Sequence, residues 1–314
     1  MMSQDPGDLL LEAYGLERYF GNRVALAGLD LTLARGEVLG LLGLNGAGKT
    51  TTLQMLCGVL APSGGSIRVA GVDLLDAPRA AKQHLGYLPE VPPLQPDAQV
   101  GDYLRWAAQL RRVPRQARAA AVGRAIERCA LTDVAGRVIR NLSKGYQQRV
   151  GIAQAIVHDP ALIVLDEPTV GLDPRQVQGI RALIRNLRQG HGVIFSSHIL
   201  AEVQAVSDRV TILHEGRELY SGAAVGEDDG ELRYRARFAS PPAPDVVSAM
   251  DGVRSAQAAP AGGILLELSD EAALDRLVAA SAARGWQLRE LGKERRTLEQ
   301  VFLDLTQAAG EETA

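Results

Sequence analysis

The chain is poor in several things, and each shortage excludes a class of protein. Two cysteines in 314 residues, Cys57 and Cys129, rule out a disulfide framework and any Cys-rich metal site. Both fall in helical patterns and read as reduced core residues. No stretch approaches the roughly 18 consecutive apolar residues of a membrane-spanning helix. The opening Met1-Met2-Ser3-Gln4-Asp5-Pro6-Gly7-Asp8 lacks the basic and then apolar order of a secretory leader, so a cytoplasmic location is expected. There is no excess of basic charge: the net charge is −3, and nucleic-acid-binding domains usually carry a basic face. No internal repeat is present. The 46 % hydrophobic content suffices for ordinary cores, and the length suits one large domain plus a smaller one at roughly 100–200 residues each.

Against this background one segment stands out: Gly43-Leu44-Asn45-Gly46-Ala47-Gly48-Lys49-Thr50-Thr51. It has the spacing of a phosphate-binding loop. Glycines let the backbone wrap closely, so that successive N–H groups point inward at negative charge. In this pattern Lys49 reaches the β- and γ-phosphates of a nucleoside triphosphate and the Thr50 hydroxyl ligates Mg²⁺. The apolar run 38–42 before it reads as a buried strand. Residues 49–56 after it read as a helix whose positive end faces the phosphates.

A second signal is Leu162-Ile163-Val164-Leu165-Asp166-Glu167-Pro168-Thr169. Four apolar residues make a buried strand, and two carboxylates emerge at its C-terminal end, where α/β sheets place ligands. Asp166 is positioned to complete the Mg²⁺ sphere begun by Thr50. Glu167 is positioned to orient and deprotonate an attacking water. His198 ends a further apolar run, 31 positions beyond Glu167. That separation is enough for one helical crossover to the adjacent strand, from which the imidazole could reach a γ-phosphate or its water. A third signal is Asn141-Leu142-Ser143-Lys144-Gly145-Tyr146. Ser143 reads as a helix N-cap and Gly145 keeps the start of that helix bare, an arrangement that suits an anion.

Between these motifs, alternation at Leu29, Leu31 and Leu33 indicates a half-buried strand. Pro62-Ser63-Gly64-Gly65 is a turn before a strand at 66–69. Residues 98–157 are Ala-, Arg- and Leu-rich with helical spacing and read as an insertion of three or four helices. Short apolar runs at 162–165, 193–195 and 209–213 alternate with helices, as in a parallel sheet. A Gly- and acid-rich linker, 223–230, leads to a unit at 231–306 that reads strand (231–238), helix (245–250), strand (253–258), strand (263–268), helix (271–283) and strand (286–291), the ferredoxin-like order. A last helix begins at a capping box, Thr297 with Gln300, before a tail at 307–314.

The set resembles the ATP-binding subunit of an ABC transporter over about residues 9–222: Walker A at 43–50, a signature at 142–146, Walker B at 162–167, a D-loop at Gly171-Leu172-Asp173 and a switch histidine at His198. The resemblance implies an α/β P-loop cassette at 1–222, with a mixed sheet, an N-terminal β subdomain and the helical insertion, followed by the small α+β unit. It implies ATP and Mg²⁺ as ligands, sandwiched between two copies of the cassette. Ser143 and Gly145 would then meet the γ-phosphate held by a partner copy, with Asp173 nearby, while Phe20, or its neighbour Tyr19, would stack on adenine. Two departures are informative. The signature reads Leu-Ser-Lys-Gly-Tyr rather than Leu-Ser-Gly-Gly-Gln, and Gly86-Tyr87-Leu88-Pro89-Glu90 places Glu90 where a metal-coordinating Gln is usual. Both resemble the ABC-2 exporter branch of drug-resistance, gliding-motility and copper-processing ATPases, as does the end of the chain at 296–306. The expected partner is an ABC-2-type membrane permease, with the chain peripheral on the inner face of the membrane and no nucleic acid bound. The rival readings are a soluble ABC-type ATPase acting on ribosomes or DNA, and an ATP-sensing subunit without turnover.

Overall fold

A computed structural model describes residues 9–224, 232–259 and 262–293. They form two compact units, the first through residue 224 and the second over 232–293. The 225–231 part of the linker, the helix expected from Thr297 and the tail lie outside the described residues.

The first unit runs β1 (Leu9–Phe20), β2 (Arg23–Ala34), β3 (Val38–Leu42), α1 (Lys49–Leu56), β4 (Gly64–Val69), β5 (Val72–Asp73), α2 (Pro78–Ala81), β6 (Leu85–Leu88), α3 (Val100–Leu110), α4 (Arg118–Arg128), α5 (Lys144–Ile156), β7 (Leu162–Leu165), α6 (Pro174–Leu187), β8 (Gly192–Ser197), α7 (Leu200–Val206), β9 (Arg209–His214) and β10 (Arg217–Ala223). Strand β10 therefore takes in Ala223, the first residue read as linker.

Two sheets result. β2-β1-β4-β5 is antiparallel, and β10-β9-β3-β8-β7-β6 is parallel except for its edge strand β10. The sequence pattern distinguishes them. In β2, Leu29, Leu31 and Leu33 are buried while Asp30 is exposed, the alternation of a sheet with one covered face. In β3 and β7 every residue is buried, as a parallel strand covered on both faces requires. Helix α1 sends Leu53, Met55 and Leu56 into a core shared with Leu11, Leu33 and Ile67 of one sheet and Leu39, Val164 and Ile194 of the other. The insertion is three α-helices, α3 to α5, with two short 3₁₀ turns between α4 and α5. Cys57 and Cys129 follow the last residues of α1 and α4 as free, buried thiols.

The order β3-β8-β7-β6 is what builds the site. It aligns four C-terminal strand ends, with Leu42 beside Ser197, Phe195 beside Leu165, and Leu165 beside Leu88. The loops carrying Lys49, His198, Asp166 with Glu167, and Glu90 thus leave the sheet along one edge.

The second unit comprises β11 (Leu232–Phe238), α8 (Pro244–Ser248), β12 (Val253–Ala258), β13 (Ile264–Leu268), α9 (Ala272–Ala283) and β14 (Leu288–Lys293). Its sheet, β12-β13-β11-β14, is antiparallel throughout, and the element order is the expected one. Strand β14 starts two residues later than the sequence suggests. Gly285 and Gln287 both take left-handed backbone, so Trp286 belongs to a turn that tucks its indole into the core with Leu266, Leu277 and Ala236.

Candidate functional site

The turn between β3 and α1 is shaped by two glycines. A Cβ on Gly43 would lie 2.4 Å from the Leu213 carbonyl oxygen and 2.9 Å from Ala47 Cβ. Gly48, with φ of 106°, precedes α1 in a conformation that side chains rarely adopt. The loop is tied to its surroundings by the Gly216 N–H, which donates to the Ala47 carbonyl at 3.0 Å. The first-turn amides of α1, at Lys49, Thr50 and Thr51, have no acceptors within the helix. Beside them opens a cleft of about 990 Å³. Leu44, Asn45, Gly46, Ala47, Gly48, Lys49, Thr50 and Thr51 line one side, and Glu90, Glu167, Val170 and His198 another. Phe20, Arg23, Val24, Ala25, His214 and Glu215 complete it.

Lys49 is buried, and its ammonium donates to the Gly43 carbonyl at 2.8 Å and the Leu44 carbonyl at 3.3 Å. It also pairs with Glu167 Oε1 at 3.4 Å. The other oxygen, Oε2, accepts from His198 Nδ1 at 2.9 Å. A carboxylate only accepts, so this contact puts the proton on Nδ1. Glu167 is itself in left-handed backbone, φ 45°, an uncommon state for a residue with a side chain. Its N–H donates to Ser196 Oγ at 2.8 Å.

Ser196 Oγ in turn donates to Asp166 Oδ1 at 2.7 Å, and Thr50 Oγ1 donates to the same oxygen at 3.3 Å. Asp166 Oδ2 is buried and has no hydrogen-bond partner. Burial raises the Asp166 carboxyl above its ordinary range, against those two hydrogen bonds, and the charges of Glu167 and Glu90 push the same way. A carboxylate oxygen left without a donor in such a place is costly unless a cation meets it.

The structure thus brings Lys49, Thr50, Glu90, Glu167 and His198 around one cleft, with Phe20 at its edge and Asp166 buried against Thr50. Phe20 is half exposed, and the Arg18 guanidinium lies 4.6 Å from its ring centroid. Ser143, Gly145 and Asp173 do not line this cleft. Ser143 holds the N-cap position of α5, but its hydroxyl makes no capping bond, contrary to the capping role read from sequence. Asp173 caps α6, accepting from the Arg175 and Gln176 amides at 3.0 Å each, with Pro174 in the first turn. Sequence reasoning missed Ser196, whose hydroxyl joins Asp166 to Glu167. It also missed His214 and Glu215, contributed by the β9–β10 hairpin. The paired serines before His198 were a usable signal for the first; nothing local marks the other two.

Fold and site together define a phosphate-loop nucleotide-binding protein. A family model described as ABC transporter matches residues 26–170. An uncharacterised ABC transporter ATP-binding protein of Nostoc is 42 % identical over 203 residues, 64 % of this chain and 60 % of that protein's length. Nod factor export ATP-binding protein I of Burkholderia lata is 36 % identical over 218 residues, 69 % of this chain and 72 % of its own. Among solved structures, cbiO1 of Clostridium perfringens, part of the ABC transporter complex cbiONQ, matches with a TM-score of 0.64 at 29 % identity, over 69 % of this chain and 89 % of that one. The chain belongs to the ATP-binding proteins of ABC transporters.

Proposed function

We propose that this chain is the ATP-hydrolysing subunit of an ABC-2-type membrane exporter, working as a pair of copies on the inner face of the membrane. The observation that carries the reading is the Glu167 carboxylate, held between Lys49 and His198 at the phosphate-loop cleft. Among the described residues no helix is long and apolar enough to cross a membrane, and the proposed permease is a separate partner. The export assignment follows the name of the Burkholderia relative and the altered residues at Lys144, Tyr146 and Glu90.

When ATP enters, Lys49 exchanges its carbonyl contacts and Glu167 for the β- and γ-phosphates, and the loop amides of Gly46 to Thr51 take the remaining oxygens. That exchange frees Glu167 Oε1 to accept a proton from the attacking water. His198 keeps Oε2 fixed, orienting the base. Among the described residues no three His, Cys, Asp or Glu side chains form a metal cage. The unpartnered Asp166 Oδ2 beside Thr50 nonetheless suits a Mg²⁺ that takes most of its ligands from phosphate and water. Thr50, Asp166 and Glu90 are the residues that would hold it, and it would neutralise charge on the transferring phosphoryl group. Water adds to the γ-phosphorus, its bond to the bridging oxygen breaks, and ADP and phosphate leave. Ser143 and Gly145 lie outside the cleft of their own copy, which suits a contact with the γ-phosphate of a second one.

Phosphate release by the full chain with ATP and Mg²⁺ tests this. Glu167→Gln should lower turnover by about 10²–10⁴-fold while ATP binding persists. A Gln variant that hydrolyses at the wild-type rate removes Glu167 as base. A wild-type chain that binds ATP without turnover is a sensing subunit, and one that purifies with ribosomes rather than membranes is not an exporter motor.

A further inference from the structure

Behind the cleft lies a second polar cluster that the hydrolysis reading does not use. Glu202, in the first turn of α7, is buried, with 3 % of its surface exposed. Its Oε2 accepts from Thr169 Oγ1 at 2.5 Å and from Ser197 Oγ at 3.0 Å. Its Oε1 lies 3.7 Å from the Arg181 guanidinium on α6. Thr169 and Ser197 are buried as well, and Ser197 Oγ also accepts the Ile199 N–H at 3.0 Å. Thr169 stands two residues after Glu167, and Ser197 stands one residue before His198.

We infer that Glu202 is a positioning residue that latches the Glu167 segment to the His198 segment; the inference rests on the hydrolysis reading above and deepens it. Ser196 and Ser197 point to opposite faces of β8. The first bonds to Asp166 and the Glu167 amide, and the second bonds to Glu202. The end of β8 is therefore pinned from both sides, and the same Glu202 oxygen that pins it also holds the loop after Glu167. Such a clamp answers a definite need. Left-handed backbone at Glu167 persists only where its surroundings over-determine it, and the 2.9 Å contact to His198 depends on two separate chain segments keeping register. A charged acceptor shared by both segments supplies that register, while Arg181 balances its charge. Catalytic geometry is sensitive to this, since a displacement of about 1 Å can cost 10²-fold in rate.

The test compares Thr169→Val, Thr169→Ser and Glu202→Gln in the full chain, reading kcat and KM for ATP and the thermal midpoint. Thr169→Val keeps the side-chain shape and removes the hydroxyl. It should lower kcat about tenfold or more with KM for ATP nearly unchanged, and Thr169→Ser should restore most of the rate. Glu202→Gln keeps an acceptor oxygen and should fall between them. A Thr169→Val chain with wild-type kcat overturns the latch. So does a loss that Thr169→Ser fails to rescue, or one shared by kcat and KM alongside a lowered melting point, because those mark a structural role alone. Glu167→Gln run in parallel separates the two levels. If it still turns over, the hydrolysis reading fails and takes the latch with it; if it is dead while Thr169→Val is fully active, the latch alone fails.

Discussion

The two units bury different things. In the second, the core is Ala236, Val247, Ile264, Leu266, Leu268, Ala273, Leu277 and Trp286, and Ser281 is its one buried polar residue among those described. Most of its ion pairs sit outside, Arg237 with Glu290 and Arg276 with Asp270 and Asp251, while Arg233, paired with Glu267 at 2.7 Å, is largely covered. The first unit buries Lys49, Asp166, Glu167, Thr169, Ser196, Ser197 and Glu202 together at one end of a parallel sheet. Buried polar groups of this kind are expensive and need a network to satisfy them. The contrast is one of chemistry: the buried interior of the second unit is almost wholly apolar, whereas the first holds charged and hydroxyl side chains in a hydrogen-bonded network at its strand ends.

Substitutions matched across the two units can break that contrast. In the second unit, Leu266→Ala opens a cavity in an apolar core and should cost about 2–5 kcal/mol of that unit's stability, read by denaturant unfolding. Phosphate release should be unchanged; a parallel loss of turnover would show that the units are not separable. In the first unit a substitution should act in the opposite sense. The Asp166 carboxyl is raised by burial, so the folded chain holds this proton more tightly than the unfolded chain. Its contribution to stability therefore falls as pH rises from the ordinary 3.8 through the folded value, and at neutral pH it opposes folding. Asp166→Asn should thus stabilise the metal-free chain at neutral pH, with the gain shrinking toward acid pH, while Mg²⁺-dependent turnover disappears. Thermal melts at several pH values check the sign, and a destabilised Asn variant would contradict it. The smallest effect is expected at the surface. Arg237→Ala removes an exposed ion pair and should change stability by less than about 1 kcal/mol.

What could be read from the sequence was whatever chemistry requires of neighbours in the chain. The glycines around Lys49 and Thr50 are fixed by loop shape, and Asp166 and Glu167 by the end of a buried strand. The elements of the second unit follow from alternation and helical spacing, except at β14, where left-handed Gln287 is a residue that seldom signals a turn. What escaped was what the fold brings together across distance. Ser196 beside Asp166, and Glu202 joining Thr169 to Ser197, depend on β7 and β8 lying side by side. No local pattern states that pairing or which face each serine takes. Ser143 shows the converse: a residue type that suits capping stands at the cap position, and its hydroxyl caps nothing.

Equilibrium binding of radiolabelled ATP with Mg²⁺ reaches the centre of the account, because every assigned role assumes a triphosphate against residues 43–50. The wild-type chain should bind, and Lys49→Ala, which removes a charged hydrogen-bond donor, should weaken binding by roughly 10- to 100-fold. A wild-type chain that fails to retain ATP, or a Lys49→Ala chain that retains it equally well, would contradict the account.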